Sequence, residues 1–452
     1  MISIVFGDAL LPDGWARQVR VTFEDGVIVS IQPDVASSEE ERFGIGIPGL
    51  PNLHSHAFQR GMAGLSEVRG PVADDFWTWR EVMYRFLDRM TAEDMEAVAA
   101  QAYAEMLEGG FTRVGEFHYL HHQPDGTVYA DPAEMATRIA AAAETAGIGL
   151  TLLPCFYARG GFGGTGPTPG QRRFLCHLDA FARLLDASRQ AIAGLAGAVI
   201  GVAPHSLRAV TPPELAAVVS MAPDGPIHIH AAEQIREVQA CLEWSGQRPV
   251  EWLLDHADLD ARWCVIHATH MAPPETARLA ASGAVAGLCP VTEANLGDGI
   301  FDGPGWLKAA GRFGIGTDSN VLIDAAAELR QLEYSQRPAQ RARNMFAGDP
   351  GHSTGRSLFD AALAGGAQAL GIGAGGLRPG APADMVALDV NHPALASRDG
   401  DQWLDAWIFA AARPAVEAVW VRGRRVVADG RHVARTRIDR AFRLALQRLL
   451  AA

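Results

Sequence analysis

Hydrophobic positions follow two rhythms along this chain. Near the ends, short runs in which apolar and polar residues alternate are broken by turn residues: Met1–Phe6, then Gln18–Glu24, the turn Asp25–Gly26, and Val27–Ile31. Asp384–Asp389 and Ala415–Val421 read as strands too. Val426–Val433 follows as a hairpin partner across Asp429–Gly430, and a last helix is expected over roughly Arg437–Leu450. Two β-rich ends around a long middle predict that residues 1–49 and 376–452 meet in one small β-sandwich domain.

The middle, residues 50–375, alternates apolar runs with helix-sized segments. Strands are expected at Gly49–Leu53, Arg113–Phe117, Gly149–Pro154, Ala198–Ala203, Pro226–His230, Trp263–His267, Ala284–Leu288 and Arg312–Thr317. Helical patterns lie between most of them: Ala92–Glu108, Pro132–Ala146, Pro213–Met221, Ile235–His256 and Pro273–Ala281. This order predicts an α/β fold, a (β/α)8 TIM barrel. A doubly wound sheet is the alternative, but no GxGxxG follows the first strand, so its dinucleotide-binding form has no support. Two segments interrupt the alternation. Residues 158–170 (ARGGFGGTGPTPG) cannot hold a helix or strand and read either as a lid or as a surface insertion. Residues 61–80, rich in aromatics (Phe76, Trp77, Trp79), are expected to line the barrel mouth.

Composition narrows the function. The 452 residues are 48% hydrophobic and 20% charged, which fits a large core and excludes a disordered chain. A net charge of −13 argues against nucleic acid, whose binders need a basic field. Five scattered cysteines with no CxxC argue against a disulfide framework or a Cys-rich zinc site. With no basic, apolar leader and no long apolar run, the expectation is a soluble cytoplasmic protein with no membrane partner.

The residues that can carry chemistry sit at strand ends. His54 and His56 close the first strand at i and i+2, so both imidazoles can point to one side and converge on a cation. Ordinary buried or surface histidines are the competing reading. His230 ends strand five, and Glu233, three residues on, can reach a water at such a cation without binding it, as a proton shuttle must. A buried histidine beside a solvated glutamate is the bland alternative. His267 ends strand six, and Asp318 follows strand eight, where TDS could also be a helix N-cap. Their joint position decides, because strand ends are where this fold gathers catalytic groups. The reading is that His54, His56, His230 and Asp318 hold one Zn²⁺ per chain, with Fe²⁺ suiting the same donors. Glu233 then relays protons, His267 orients the attacking oxygen, and Asp318 also accepts a proton.

With these residues in place, the chain resembles the amidohydrolase superfamily over nearly its whole length, through HSH on strand one, HxxE on strand five, His267, TDS, and Gly375–Val390 on the return to the small domain. HxxE without a bridging lysine resembles the mononuclear deaminase branch. Within it, HSHAFQRGMAG (54–64), FWTWRE (76–81), GEFHYLHH (115–122), APHSLRAV (203–210), HIHAAEQ (228–234) and IGTDSN (315–320) are similar to the N-formimino-L-glutamate deiminases of histidine degradation. The resemblance implies Gln59, Arg80, Tyr119, His205 and Arg208 as substrate contacts. A diacid wants guanidinium groups, although a surface salt bridge is the competing reading for each arginine. The expected partner is thus a small-molecule substrate with two carboxylates, and a homodimer is the default for a soluble enzyme. A deaminase of an aminoheterocycle such as guanine, and a metal-free scaffold homologue, are the alternatives. His228 reads as a core or supporting residue below the metal, and His122 has no assigned role.

Overall fold

The eight central strands are parallel and most are buried on both faces, which is why they read as apolar runs and not as alternating ones. They are Leu50–Ser55, Phe111–His118, Gly149–Phe156, Val199–Ile200 continued by Ala203–Pro204, Ile227–Ala231, Trp263–His267, Val285–Leu288 and Arg312–Ile315. In this computed structural model, residues 1–36, 40–71 and 73–451 are described. Residues 37–39, 72 and 452, which fall within the expected small-domain, first-insertion and terminal segments, lie outside the described residues.

Strands one to four pair in order, as do five to eight. Parallel bridges Val202↔Ile227 and Ser206↔His230 join the two halves on one side, and Ser55↔Asp318 joins them on the other. The barrel is therefore closed, as the alternation predicts. Strand four is not the continuous run expected over 198–203. It breaks at Gly201, where a Cβ would lie 2.4 Å from Pro226 O. The N-terminal end of the barrel is plugged by Ala369 and Leu370, which pack with Leu53, Cys264, Ile266 and Val285. Polar side chains are left to the opposite rim.

Helix Ala92–Glu108 forms as expected, with Thr91 and Asp94 closing a capping box. The single helix expected over 235–256 is two, Ile235–Ser245 and Pro249–His256. Gly246 takes the left-handed C-cap at φ 77°, and Pro249, lacking an N–H, opens the next helix. The insertion 61–80 does not stay irregular: Phe76–Leu87 is a helix capped by Asp75, whose side chain accepts from Trp77 N and Thr78 N. Segment 158–170 holds the short 3₁₀ turn Phe162–Gly164, closed by a bridge between Gly161 and Thr165, and the start of a second, Pro169–Gln171. Phe162 stacks on Trp244 with ring centroids 5.5 Å apart, and Arg159 pairs with Glu214, so this loop is tied to the barrel.

The chain ends meet in one eight-stranded sheet, where Arg42–Pro48 pairs antiparallel with Met385–Leu388. Bonds from Ile28 N to Ala381 O and from Ala383 N to Gly26 O draw the edge strand Val27–Gln32 back toward the C-terminal half. Phe6, Phe43 and Trp420 meet in a separate apolar core, Phe43 and Trp420 edge to face at 4.8 Å. That core is the interior of the expected sandwich. The terminal helix Arg435–Leu450 returns onto helix Ala92–Glu108. Among the described residues no helix is long and apolar enough to cross a membrane.

Candidate active site and metal centre

Strand one delivers His54 and His56 to the C-terminal rim, and the turn after strand eight delivers Asp318 beside them. One carboxylate oxygen, Asp318 Oδ1, lies 3.3 Å from Nε2 of both His54 and His56. His230 Nε2 lies 3.2 Å from His54 Nε2. All four donor atoms fall within 4.8 Å of one another, and all four residues are buried.

Backbone groups fix how these rings are used. His56 Nδ1 lies 2.9 Å from Phe117 O, and His230 Nδ1 lies 3.0 Å from His205 O. Donation from Nδ1 to a carbonyl leaves the Nε2 lone pair bare. The lone pair of His56 then faces an anionic oxygen, and that of His230 faces another imidazole nitrogen. Such an arrangement is repulsive without a cation among the donors, and three imidazoles with one carboxylate are a ligand set that suits Zn²⁺ or Fe²⁺. Burial lowers the His54 imidazole to about 3 against the pull of Asp318. The Asp318 carboxylate, although buried, is held well below the usual range by His54, His56 and His267. The chain's single lysine, Lys308, lies on helix Gly303–Lys308 and does not line the cavity, so no lysine is there to bridge a second ion.

The turn carrying Asp318 is held by residues that strand periodicity does not single out. Asn320 Nδ2 reaches Ser55 Oγ (3.1 Å), His56 O (3.1 Å) and Asp318 O (3.0 Å). Asn52 donates to Thr317 Oγ1 at 2.7 Å and accepts from Thr317 N at 3.0 Å. Asp318 (φ 43°), Asn320 (φ 54°), His267 (φ 68°) and Ala232 (φ 54°) are all left-handed. Each such non-glycine conformation costs about 1–3 kcal/mol, and at Asp318 and Asn320 the network holds that strain in place.

Glu233 and His267 complete the rim. Glu233 Oε1 is 3.8 Å from His267 Nε2, and Glu233 Oε2 is 3.4 Å from Arg208. Burial raises the Glu233 carboxyl above its ordinary range, while His267 and Arg208 pull it down. Burial opposes charge on His267, but Glu233, Glu293 and Asp318 outweigh it and raise its pKa to about 10. Glu293, on helix Pro290–Leu296, accepts from His267 Nδ1 at 3.2 Å. Glu237 accepts from the backbone N–H of Glu233 at 3.1 Å. Neither Glu293 nor Glu237 stood out in the sequence, since a lone carboxylate on a helix carries no pattern. Cys289 also lies near the His267 and Asp318 donors, but burial keeps its thiol protonated.

One cavity opens over this cluster. His56, His230, Glu233, His267 and Asp318 form its floor, with Gln59, Arg80, Tyr119, His205 and Arg208 around them. His54 lies beneath, fully buried. Every residue expected at the site is therefore at this rim. Gln59 donates to Tyr119 Oη at 2.9 Å, and its own Oε1 is buried without a partner. His205 packs against Tyr157, with centroids 4.6 Å apart. Arg208 pairs inside the cavity with Glu233, which answers the surface-salt-bridge reading. Arg80 makes no ion pair among the described residues and lies 4.3 Å over the Trp77 ring. Gly160 of the 158–170 loop also lines the cavity. Four further histidines are engaged by backbone carbonyls. His228 bonds Ala369 O at the barrel plug (2.7 Å), His121 bonds Cys155 O (2.8 Å), His122 bonds Leu175 O (2.7 Å) and His270 bonds Asp298 O (2.7 Å).

Comparison with known proteins agrees with this geometry. A profile described as "Amidohydrolase family" matches residues 45–426. The chain belongs to the amidohydrolase family. Residues 1–44 match a second profile, "Formimidoylglutamate deiminase HutF, N-terminal domain". Formimidoylglutamate deiminase of Pseudomonas aeruginosa is 52% identical over 99% of this chain and 100% of its own. An amidohydrolase from Brucella melitensis has a crystal structure that superposes with a TM-score of 0.97 at 59% identity, covering 100% of both chains. An adenosine deaminase from Xanthomonas campestris with bound zinc shares the fold, with a TM-score of 0.80 at 22% identity over 99% of this chain and 98% of its own. The four donor residues of this amidohydrolase are intact and gathered, which removes the ground for a metal-free scaffold.

Proposed function

We propose that this amidohydrolase hydrolyses the formimino C=N bond of N-formimino-L-glutamate, giving N-formyl-L-glutamate and ammonia, a step of histidine degradation. One observation carries the reading. Two guanidinium groups, Arg80 and Arg208, line the same cavity as the His/Asp cluster, and the Nε atom of each is buried with no partner. Unsatisfied buried donors are costly, and a ligand with two carboxylates would satisfy both. The Pseudomonas aeruginosa relative, similar over its full length, supports the same substrate.

Zinc is the proposed occupant of His54, His56, His230 and Asp318, where a divalent ion would supply Lewis-acid activation of water. The chain's own groups do the rest. Arg80 and Arg208 hold the carboxylates, and Gln59 Oε1 is free to accept an N–H of the substrate. Glu233, buried beside His267, takes a proton from the attacking water and passes it to the departing nitrogen. His267 turns Nε2 toward Glu233 and Asp318 and donates to the incoming oxygen. Asp318 takes the remaining proton of the added water as the C=O bond forms, that proton is passed on to the amino group, and the C–N bond breaks to release ammonia.

An ammonia-release assay over formimino-amino acids, guanidino acids and aminopurines tests this. N-formimino-L-glutamate is expected to be turned over fastest, and Arg80→Met and Arg208→Met are expected to raise its KM sharply. Faster deamination of an aminopurine, surviving both substitutions, would overturn the reading.

A further inference from the structure

The Trp77 indole is surrounded by three guanidinium groups: Arg80 at 4.3 Å, Arg236 at 4.7 Å and Arg208 at 5.7 Å from the ring centroid. Two of them, Arg80 and Arg208, are substrate contacts of the cavity already described. Arg236 is different. It lies on the first turn of helix Ile235–Ser245, two residues after Gln234, and its side chain is exposed. Among the described residues it makes no ion pair and no side-chain hydrogen bond. It lines an outer cavity with Thr78, Gly161 and Phe162, which shares Trp77, Arg80, Gly160 and Arg208 with the inner one. The two cavities thus adjoin, and Trp77 stands at their boundary.

The charges facing Arg236 are mixed. Glu81 and Glu237 also line the outer cavity. Glu237 is buried, is engaged by the backbone of Glu233 at 3.1 Å, and acts on Arg208. Arg208 is already paired with Glu233 at 3.4 Å, so Arg80 and Arg236 are the two guanidinium groups here that make no ion pair among the described residues, in a chain of net charge −13. Unpaired cations beside the cavity favour the approach of a dianion to a chain whose net charge is negative.

We propose that Arg236 is a specificity-determining residue, an outer station that draws the dicarboxylate past Trp77 to Arg80 and Arg208. This rests on the diacid reading above. The indole holds the guanidinium by a cation–π contact without neutralising it, so its charge stays available to a passing carboxylate. A substrate with two carboxylates feels that charge more strongly than one with a single carboxylate.

Steady-state ammonia release by the metal-loaded enzyme and its Arg236→Gln and Arg236→Lys variants tests the station. Arg236→Gln is expected to lower kcat/KM for N-formimino-L-glutamate about fivefold at low ionic strength, with the loss in KM and a gap that closes at high salt. The loss is expected to be smaller for N-formiminoglycine, and Arg236→Lys is expected to recover most of it. Equal kcat/KM for wild type and Arg236→Gln at low salt, or a loss confined to kcat, would overturn the proposal. Calorimetric titration with N-formyl-L-glutamate separates the two readings. If the wild type fails to turn over the formimino compound, the substrate reading falls. Arg236 is then judged by whether Arg236→Gln binds this diacid more weakly, as expected, or equally, which overturns it.

Discussion

Nδ1 of His267 lies 3.2 Å from Glu293 Oε1, and the same carboxylate oxygen accepts the backbone N–H of Cys289 at 2.9 Å. Two donors thus fix one carboxylate, and that carboxylate fixes the ring whose Nε2 faces Glu233 at 3.8 Å and Asp318 at 3.9 Å. Glu293→Gln keeps an oxygen for both donors but removes the charge that favours the protonated ring. We expect kcat to fall about 10–100-fold, with bound metal unchanged. Metal analysis alongside steady-state rates checks this.

Glu233 is placed to move protons and has no metal-donor role in the cluster. Glu233→Gln should lower kcat by roughly 10²–10⁴-fold while retaining the metal. Its carboxyl is raised by burial and pulled down by His267 and Arg208. A proton acceptor must be ionised, so wild-type kcat/KM should fall as pH drops through that raised value, above the ordinary carboxylate range. Arg208→Met removes one of the groups that lower it, so the acid limb should move to higher pH. A limb that stays in place would show that Glu233 is not the group titrating.

Asn320 ties the turn of Asp318 to the end of strand one, its amide nitrogen reaching Ser55 Oγ and His56 O there and Asp318 O within the turn. Asn320→Ala leaves every proposed ligand present but frees their spacing. Metal affinity should fall about 10–100-fold, read by chelator competition. Full chelation should abolish ammonia release, and added Zn²⁺ should restore it.

Glu116, on strand two, is buried behind this centre and accepts the Ala57 N–H at 2.7 Å. Burial raises its carboxyl to about 8, from 4.5. The folded state therefore holds this proton more tightly than the unfolded chain does. The contribution to stability is full below about pH 4.5 and is lost as pH rises toward 8. Glu116→Gln mimics the neutral acid, so its Tm relative to wild type should climb across that interval, by on the order of 2 °C. A flat difference from pH 5 to 8 would show that Glu116 is charged in the folded protein.

The sequence by itself determined the barrel and marked the candidate metal donors at its rim. Strands buried on both faces are mostly apolar, so clusters of polar residues at their ends stand out: His54, His56, His230, His267 and Asp318 were legible for that reason. The arginines of the pocket were legible only through family resemblance, because nothing in a sequence separates a buried guanidinium from a surface one. Tertiary structure alone decided the supports. Asn320 meets Ser55 across 265 residues, and Glu293 meets His267 from a helix with no distinguishing pattern. It also decided that FWTWRE begins a helix, because the Asp75 cap and the packing of Met83, Tyr84 and Phe86 outweigh a weak local signal. Periodicity reports which face of an element is buried. It carries no information on what a polar side chain meets once the elements close around it, and the surroundings of Glu233 and Arg236 are set by that closure.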